Sequence, residues 1–372
     1  GIEHGTVTVL ANGDAVEITT FRKESGYSDH RRPDRVWFTA SLEEDLSRRD
    51  FTINALAWHP NSGLIDLWDG LSDLKARVIR AVGDPEKRFK EDALRILRAL
   101  RLSSELCFTI EEATHEALIE HCPLLSHVAM ERFHVEFDRL LCGKGAASVL
   151  IKYAAVPGVI IPELRSFQSC MEGGQSLVDI AAKRLAAVRP LPPNRLAALL
   201  YDVNPSTTPG DDCASGRQVS TITRQLRYSK AEIKQIASLV SSRAYELTPE
   251  TRSVWRALNC WGEVLFQEVM ELREADRQAR DPNDSGKRHN LREVQTIFET
   301  LIRDGRALGL RDLAIDGSDL LDLGCRKEMI GTILEDLLER ICVDGLENRR
   351  DVLLDAASIN ACERSVSDPP HP

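Results

Sequence analysis

The 372-residue chain is 42% hydrophobic and 28% charged, with a formal net charge of −10 at pH 7. That length and balance describe globular protein with room for more than one domain, and the net negative charge excludes a protein that coats nucleic acid indiscriminately. No apolar run approaches the ~20 residues that cross a bilayer, the first residues GIEHGTVTVL lack the basic and apolar regions of a secretory signal, and the nine cysteines are scattered singly with no C-x-x-C pair. No membrane span, zinc site or disulfide framework is therefore expected, and the expectation is a soluble, cytoplasmic protein with buried free thiols.

The chain opens on period-two alternation, Thr6-Val7-Thr8-Val9 and then Val16 to Phe21, on either side of Asn12-Gly13, which predicts a β-hairpin. Arg22 to Arg35, interrupted by Gly26 and Pro33, reads as a loop. Ser41 with Glu44 has the spacing of a capping box and opens a short helix that ends near Arg48-Arg49-Asp50. Phe51 to Trp58 predicts a strand, followed by a turn at Pro60 to Gly63. From Glu86 onward nearly every segment has helical spacing, broken at Gly143–Gly145, Pro190–Pro193, Pro205–Asp212 and Arg280–Ser285. Asn204 to Gly216 predicts a flexible loop. The fold class expected is α+β, a small mixed sheet domain followed by a long all-helical part.

Two features point to chemistry. Between Lys75 and Arg101, nine Lys/Arg stand against four Asp/Glu, a basic island that fits either an RNA-facing surface or a solvated helix face. Glu17 sits mid-strand on the face of Thr19. It is either the solvent side of a half-buried sheet or one of several carboxylates needed to hold Mg2+ at a two-metal phosphoryl-transfer site. His115-Glu116 with His121 is not a metalloprotease signature, because the second His is displaced from the required spacing, and Gly143-Lys144-Gly145 lacks the spacing of a P-loop. Both are expected to be surface features.

The runs HGTVTVLANGDAVEITTFRKESGYSDHRRP, SLEEDLSRRDFTINALAW and IDLWDGLSDLKARVIRAVGDPEKRFKEDALRILRALR, almost unbroken from His4 to about Arg101, resemble the class II tRNA nucleotidyltransferases, which share their head domain with bacterial poly(A) polymerases. The resemblance implies a nucleotidyltransferase palm over 1–84, a helical neck with a template helix over 85–156, a helical body over 157–240 and a tRNA-binding body and tail over 241–372. It implies addition of CCA, or of the terminal A, to tRNA from CTP and ATP with release of pyrophosphate, with Mg2+ as cofactor. Polyadenylation and a non-catalytic tRNA-binding remnant are the alternatives.

Residue by residue, Glu17 matches the family's third catalytic carboxylate and metal ligand. The G-G-x-V-R-D segment and D-x-D pair that precede it in the family have no counterpart here, so the palm is expected to be truncated and the chain alone to be inactive. Arg22, Glu24, Tyr27, Asp29 and Arg31 resemble the flexible loop that helps to switch specificity from C to A. Arg48, Arg49, Asp50 and Asn54 belong to RRDFTINA, which helps to hold the ribose and triphosphate. Guanidinium forks suit phosphate, although basic residues at a helix C-terminus also complement its dipole. In EDALRILRALR, Asp92 and Arg95 share one helix face by spacing. They match the pair that reads the base, with Arg98 beside them and Leu94, Ile96, Leu97 and Leu100 on the packing side. Arg132, with Glu136 and Arg139 at helical spacing, resembles the neck motif, either orienting the template helix or touching the nucleotide. Tyr201-Asp202 stands where some relatives carry a paired-histidine phosphohydrolase signature, so no hydrolase activity is expected. The stretch around Leu313, Ile315, Leu320 and Leu321 resembles the tail.

Overall fold

A computed structural model describes residues 6–25, 35–203, 214–305 and 309–365, which fall into two compact units, Gly1–Ser241 and Ser242–Pro372. The first unit begins with the hairpin β1 (Thr6–Ala11) and β2 (Asp14–Thr19), joined by Asn12 and Gly13 at φ 53° and 91°. Two successive left-handed residues make the turn whose twist matches the strands, which is why Asn-Gly stands there. Antiparallel pairing of Thr6 with Thr19 and Thr8 with Glu17 gathers Thr6, Thr8, Glu17 and Thr19 on one face and leaves Val7, Val9, Val16 and Ile18 on the other.

Next, β3 (Arg22–Ser25) pairs with β4 (Arg35–Phe38). The expected loop over Arg22 to Arg35 is thus strand at both ends, while 26–34 lie outside the described residues. Helix α1 (Leu42–Ser47) is capped by Ser41, whose Oγ accepts from Glu44 N at 3.3 Å. The reciprocal arm of the expected capping box is absent. Glu44 instead accepts from Thr39 Oγ1 at 2.6 Å and Lys23 Nζ at 2.9 Å, tying the cap to the β3–β4 ribbon.

The predicted strand over Phe51 to Trp58 is divided. Phe51 forms a single bridge with Ala81, Thr52–Asn54 is a 3-10 turn, and only β5 (Leu56–His59) is strand, paired with β6 (Gly63–Asp66). Side chains curl the chain there: Asp50 accepts from Phe51 N and Asn54 Nδ2, and Thr52 Oγ1 donates to buried Asp73 at 2.7 Å. Helix α2 (Gly70–Ala76) leads into β7 (Val78–Ile79), and α3 (Pro85–Glu91) starts with Asp84 as N-cap and Pro85 in its first turn. That pairing suits a helix start, where proline's missing N–H is no loss.

The centre of the unit is α4 (Leu94–Leu106), followed by β8 (Thr109–Ile110), which pairs in parallel with β7, and by α5 (Glu112–His121). Leu94, Ile96, Leu97 and Leu100 are all buried, as are Phe133, Phe137 and Leu140 on α6 (Met130–Cys142), which packs along α4. Burying each such side chain contributes roughly 1.5–3 kcal/mol. Helix α7 (Ala146–Tyr153) follows, then α8 (Glu163–Ser169), the short ribbon β9 (Met171–Glu172) and β10 (Gln175–Ser176), α9 (Leu177–Ala187), α10 (Pro192–Leu200), α11 (Ala214–Gln225) and α12 (Lys230–Ser241). Of the predicted loop at Asn204 to Gly216, residues 204–213 lie outside the described residues and 214–216 are helical.

Helix α9 and the end of α10 meet through a buried charge. Arg184, fully enclosed, donates to Asp202 at 2.7 Å and to Ala198 O at 2.8 Å, and its guanidinium lies 5.0 Å from the Tyr201 ring. Tyr201-Asp202 is thereby an internal structural pair.

The second unit holds α13 (Thr251–Arg280), α14 (Ser285–Arg303), α15 (Gly317–Asp322), α16 (Lys327–Glu339) and α17 (Arg350–Ser365). Gly262, at φ 73° and ψ 167°, interrupts α13. Trp255, Phe266 and Phe298 build one core, with the last two rings stacked 4.6 Å apart, while Ile315 and Leu320 belong to another. Leu313 is half-buried against both cores, whereas Leu321 is exposed.

Three expectations are corrected. Gly143 is buried, and a Cβ there would lie 2.2 Å from Ser104 Oγ and 2.7 Å from Ser104 C, so the glycine permits α6 and α7 to close on α4. His121 is buried too, so the two motifs are surface features only at Glu116 and Lys144, which are exposed. The seven cysteines whose side chains are described are free, but only Cys342 among them is buried.

Gly143→Ala is expected to destabilise the first unit by about 1–3 kcal/mol, the scale of overpacking a tight contact, measured by urea titration. A second expectation concerns His134, which joins α6 to the chain before α12. Its ring pairs with Asp138 at 3.1 Å and Leu226 O at 2.7 Å and lies 4.1 Å from the Tyr228 ring. The hydrogen bond that the ring donates to the Asp138 carboxylate raises its pKa despite burial. Its contribution should be complete below the unfolded value of about 6.5 and lost as pH rises through the folded one. Hydrogen exchange of α6 amides should speed up over that window, and His134→Gln should flatten the dependence.

Candidate functional site

A cavity of about 920 Å³ opens in the first unit among the polar face of the β1–β2 hairpin, the end of α1, and helices α4 and α6. Its wall carries eight arginines, Arg22, Arg48, Arg49, Arg95, Arg98, Arg101, Arg132 and Arg139, against the carboxylates of Glu17, Asp45, Asp50, Asp92 and Glu105. The order of these charges comes from a set of fixed pairings.

At the end of α1, buried Asp45 accepts from Arg48 Nη2 at 2.7 Å and Nε at 3.1 Å, from Arg22 N at 3.2 Å and from Arg49 Nη2 at 3.4 Å. Burial opposes its ionisation, but the Arg48 and Arg22 hydrogen bonds and the Arg48 charge prevail and hold the carboxyl below its ordinary range. The short helix places residues three and four positions on beside the acid, so Asp45 aims both arginines.

Asp50 sits just beyond. Its Oδ1 accepts from Phe51 N at 2.9 Å and Asn54 Nδ2 at 3.1 Å, and its Oδ2 from Arg98 Nε at 2.8 Å and Nη2 at 2.7 Å. Burial again works against the charge, and Arg98 with Asn54 outweighs it. The Arg98 pKa is raised in turn: burial opposes this, but Asp50 dominates, helped by Glu136. The chain of pairs continues through buried Glu136 on α6, 3.4 Å from Arg98 and 2.7 Å from Arg101, then to Glu105, 3.3 Å from Arg101 and 2.8 Å from Arg139.

Asp92 and Arg95 require a correction. The segment is not one helix: α3 ends at Glu91, Asp92 is extended at φ −140° and ψ 102°, and α4 begins at Leu94. Asp92 Oδ1 accepts from Leu94 N at 3.1 Å, so the acid that spacing placed on a helix face caps the helix start. Its guanidinium partner is Arg132, at 2.8 and 3.3 Å. Arg95 is buried, with donors directed to Glu91 Oε2 at 2.9 Å, Arg48 O at 2.9 Å and Arg88 O at 3.2 Å. Both residues reach the cavity, from different elements.

The structure therefore brings Glu17, Arg48, Arg49, Asp50, Asn54, Asp92, Arg95, Arg98 and Arg132 to one cavity, with Arg22 at its edge. Glu24 lies on β3, while Tyr27, Asp29 and Arg31 are outside the described residues. Sequence reasoning missed Asp45, Arg101 and Glu105 as wall residues. The i,i+3 and i,i+4 spacings of Asp45 with Arg48 and Arg49, and of Arg101 with Glu105, were the available signals. The basic island is largely paired rather than open: Arg80, Arg88, Lys90, Arg95, Arg98 and Arg101 all have carboxylate partners. Among the described residues no group of three His, Cys, Asp or Glu could hold a metal ion. Asp45, Asp50 and Asp92 are committed to guanidinium groups, so this donor set does not complete an Mg2+ site around Glu17.

The chain is similar to known proteins over most of its length. Residues 1–80 match the Poly A polymerase head domain, 107–164 the RNA and SrmB binding site of polymerase A, and 212–357 tRNA nucleotidyltransferase domain 2. The CCA-adding enzyme of Lactiplantibacillus plantarum is 36% identical over 369 residues, 97% of this chain and 82% of that one. The chain belongs to the class II CCA-adding enzyme family. Identity to the CCA-adding enzyme of Leuconostoc mesenteroides subsp. mesenteroides rises to 59% over 150 residues, 40% of this chain and 37% of that one. The crystal structure of the Bacillus stearothermophilus CCA-adding enzyme in complex with CTP superposes with a TM-score of 0.73 at 26% identity, covering 99% of this chain and 84% of that one. These enzymes are tRNA nucleotidyltransferases, and no described helix is long and apolar enough to cross a membrane.

Asp50→Ala should strand Arg98 in a half-buried site with Glu136 as its remaining anion. The expected loss is about 1.5–3 kcal/mol in stability, the worth of hydrogen bonds to charged groups, together with weaker nucleotide binding. Urea titration and calorimetric titration with CTP would measure the two effects.

Proposed function

We propose that this chain binds CTP and ATP in the arginine-lined cavity and adds CCA, or the terminal A, to tRNA, in the cytoplasm where no membrane is involved. The ribose hydroxyl at the tRNA 3′ end attacks the α-phosphorus, a new phosphodiester forms, the bond to the β-phosphate breaks and pyrophosphate leaves. The family uses a divalent metal, and Mg2+ is the ion proposed here.

The observation that carries the reading is the Asp92 carboxylate, paired with Arg132 on the wall that also carries Arg95, Arg48, Arg49 and Arg98. A carboxylate only accepts hydrogen bonds and a guanidinium only donates them. Cytosine and adenine both present an amino donor next to a ring-nitrogen acceptor on their Watson–Crick edges. Uracil and guanine present a carbonyl next to an N–H. An acceptor beside a donor thus matches the first two bases and leaves groups unpaired against the others, a penalty that rejects strongly. Arg48 and Arg49, aimed by Asp45, are placed for phosphate recognition. Relatives matching nearly the whole chain are named CCA-adding enzymes, which favours this reading over polyadenylation.

In Asp92→Ala, preference for CTP and ATP over UTP and GTP should collapse by roughly 10-fold or more, the equivalent of a charged hydrogen bond, while tRNA affinity persists. Calorimetric titration of all four nucleotides reads this directly, and a variant that still discriminates against UTP would refute the template role.

A further inference from the structure

We propose that Arg139 takes a backbone phosphate of the tRNA acceptor end, and that Glu105 is an internal anion that occupies Arg139 until the RNA arrives. This rests on the tRNA reading above and extends it to the end of the cavity remote from Asp92.

The placement comes from helix geometry. Glu105 lies ten residues after Arg95 on α4, about 15 Å along the axis at roughly 1.5 Å per residue. Arg139 lies seven residues, about two turns, after Arg132 on α6. The pair therefore lines the same cavity well away from the site assigned to the base. The cavity, at about 920 Å³, is near the top of the roughly 300–1,000 Å³ range of small-molecule sites. Helix α6 also lies within residues 107–164, which match the RNA-binding region of polymerase A.

The arginines of the wall differ in how firmly they are held. Arg95 and Arg98 are fixed by several acceptors at buried or half-buried positions. Arg139 is 54% exposed, and the partner it meets at 2.8 and 3.2 Å, Glu105, is 26% exposed. Ion pairs this open to water contribute little and exchange readily. When Arg139 turns to a phosphate, Glu105 keeps Arg101, 3.3 Å from its Oε2, so the exchange strands no carboxylate. A phosphodiester also offers the fork-shaped acceptor pair that suits a guanidinium.

The test uses the whole chain with a tRNA transcript ending just before CCA, its affinity measured across a salt series, and CTP titrated in parallel. Arg139→Gln should weaken tRNA binding several-fold at low salt and lower the slope of log K against log salt by roughly 0.7–0.9, one phosphate contact, with CTP affinity unchanged. Glu105→Gln should tighten tRNA binding, because the competing anion is gone. An unchanged salt slope in Arg139→Gln overturns the proposal, as does equal weakening of CTP and tRNA, which would assign Arg139 to the nucleotide. Weaker tRNA binding in Glu105→Gln would make Glu105 a positioning residue and overturn the exchange. Absence of tRNA binding by the unaltered chain would instead remove the function on which the inference rests.

Discussion

The relay Asp50–Arg98–Glu136–Arg101 joins three stretches of chain that are remote in sequence: the turn after α1, the middle of α4 and the middle of α6. Each charge is wholly or partly removed from water, so each is tolerable only while its neighbour is present. Burial opposes ionisation of Asp50 and the charge on Arg98, and their mutual attraction overcomes both effects. A cavity wall built this way is rigid before any ligand arrives. Nucleotide binding then does not have to order long flexible side chains, a loss of about 0.5–1.5 kcal/mol for each one immobilised. The eight arginines of the wall would repel one another if free, and it is the interleaved carboxylates that let them stand together.

The parts of the fold legible in the sequence are those set by local chemistry. Asn12-Gly13 fixes the hairpin because both residues adopt positive φ, and Asp84-Pro85 starts α3 because cap and proline act within one turn. The α13–α14 boundary at Arg280–Ser285 follows in the same way. Misreadings arise where a distant partner decides. Glu44 has the spacing of a capping box, yet Thr39 and Lys23 capture its carboxylate. Phe51 to Trp58 has strand composition, yet Asp50 and Asp73 bend it. Gly143 looks like a surface break, yet it is the contact point of three helices, since nothing in its neighbourhood in sequence announces Ser104.

The site shows the same division more sharply. Motif resemblance named the residues that meet in the cavity, but spacing misjudged how two of them are held. Asp92 and Arg95, three apart, have helical spacing only if the helix runs through them, and it does not. The extended backbone at Asp92 turns its carboxylate to Arg132, 40 positions on, a pairing no local pattern encodes. Acidic wall residues such as Asp45 and Glu105 carry no motif of their own, and they become visible only as counter-charges to the arginines that they hold.

That geometry assigns different tasks to the two oxygens of Asp92. Oδ1 is committed to the helix start through Leu94 N at 3.1 Å, with Arg132 Nη1 more distant at 3.3 Å, whereas Oδ2 has the closer guanidinium contact at 2.8 Å. A carboxylate oxygen has two acceptor directions, so Oδ2 can keep Arg132 and still accept from the amino group of a cytosine or adenine. The cap stays made in both states. In the proposed reading, then, the acceptor that tests the base is positioned by the same atoms that begin the central helix, and base choice need not move the helix against the relay that anchors it. The break at Asp92 is what makes this possible: in a continuous helix the carboxylate would lie along the helix surface, and Leu94 N would pair with a carbonyl of the preceding turn instead of with Asp92.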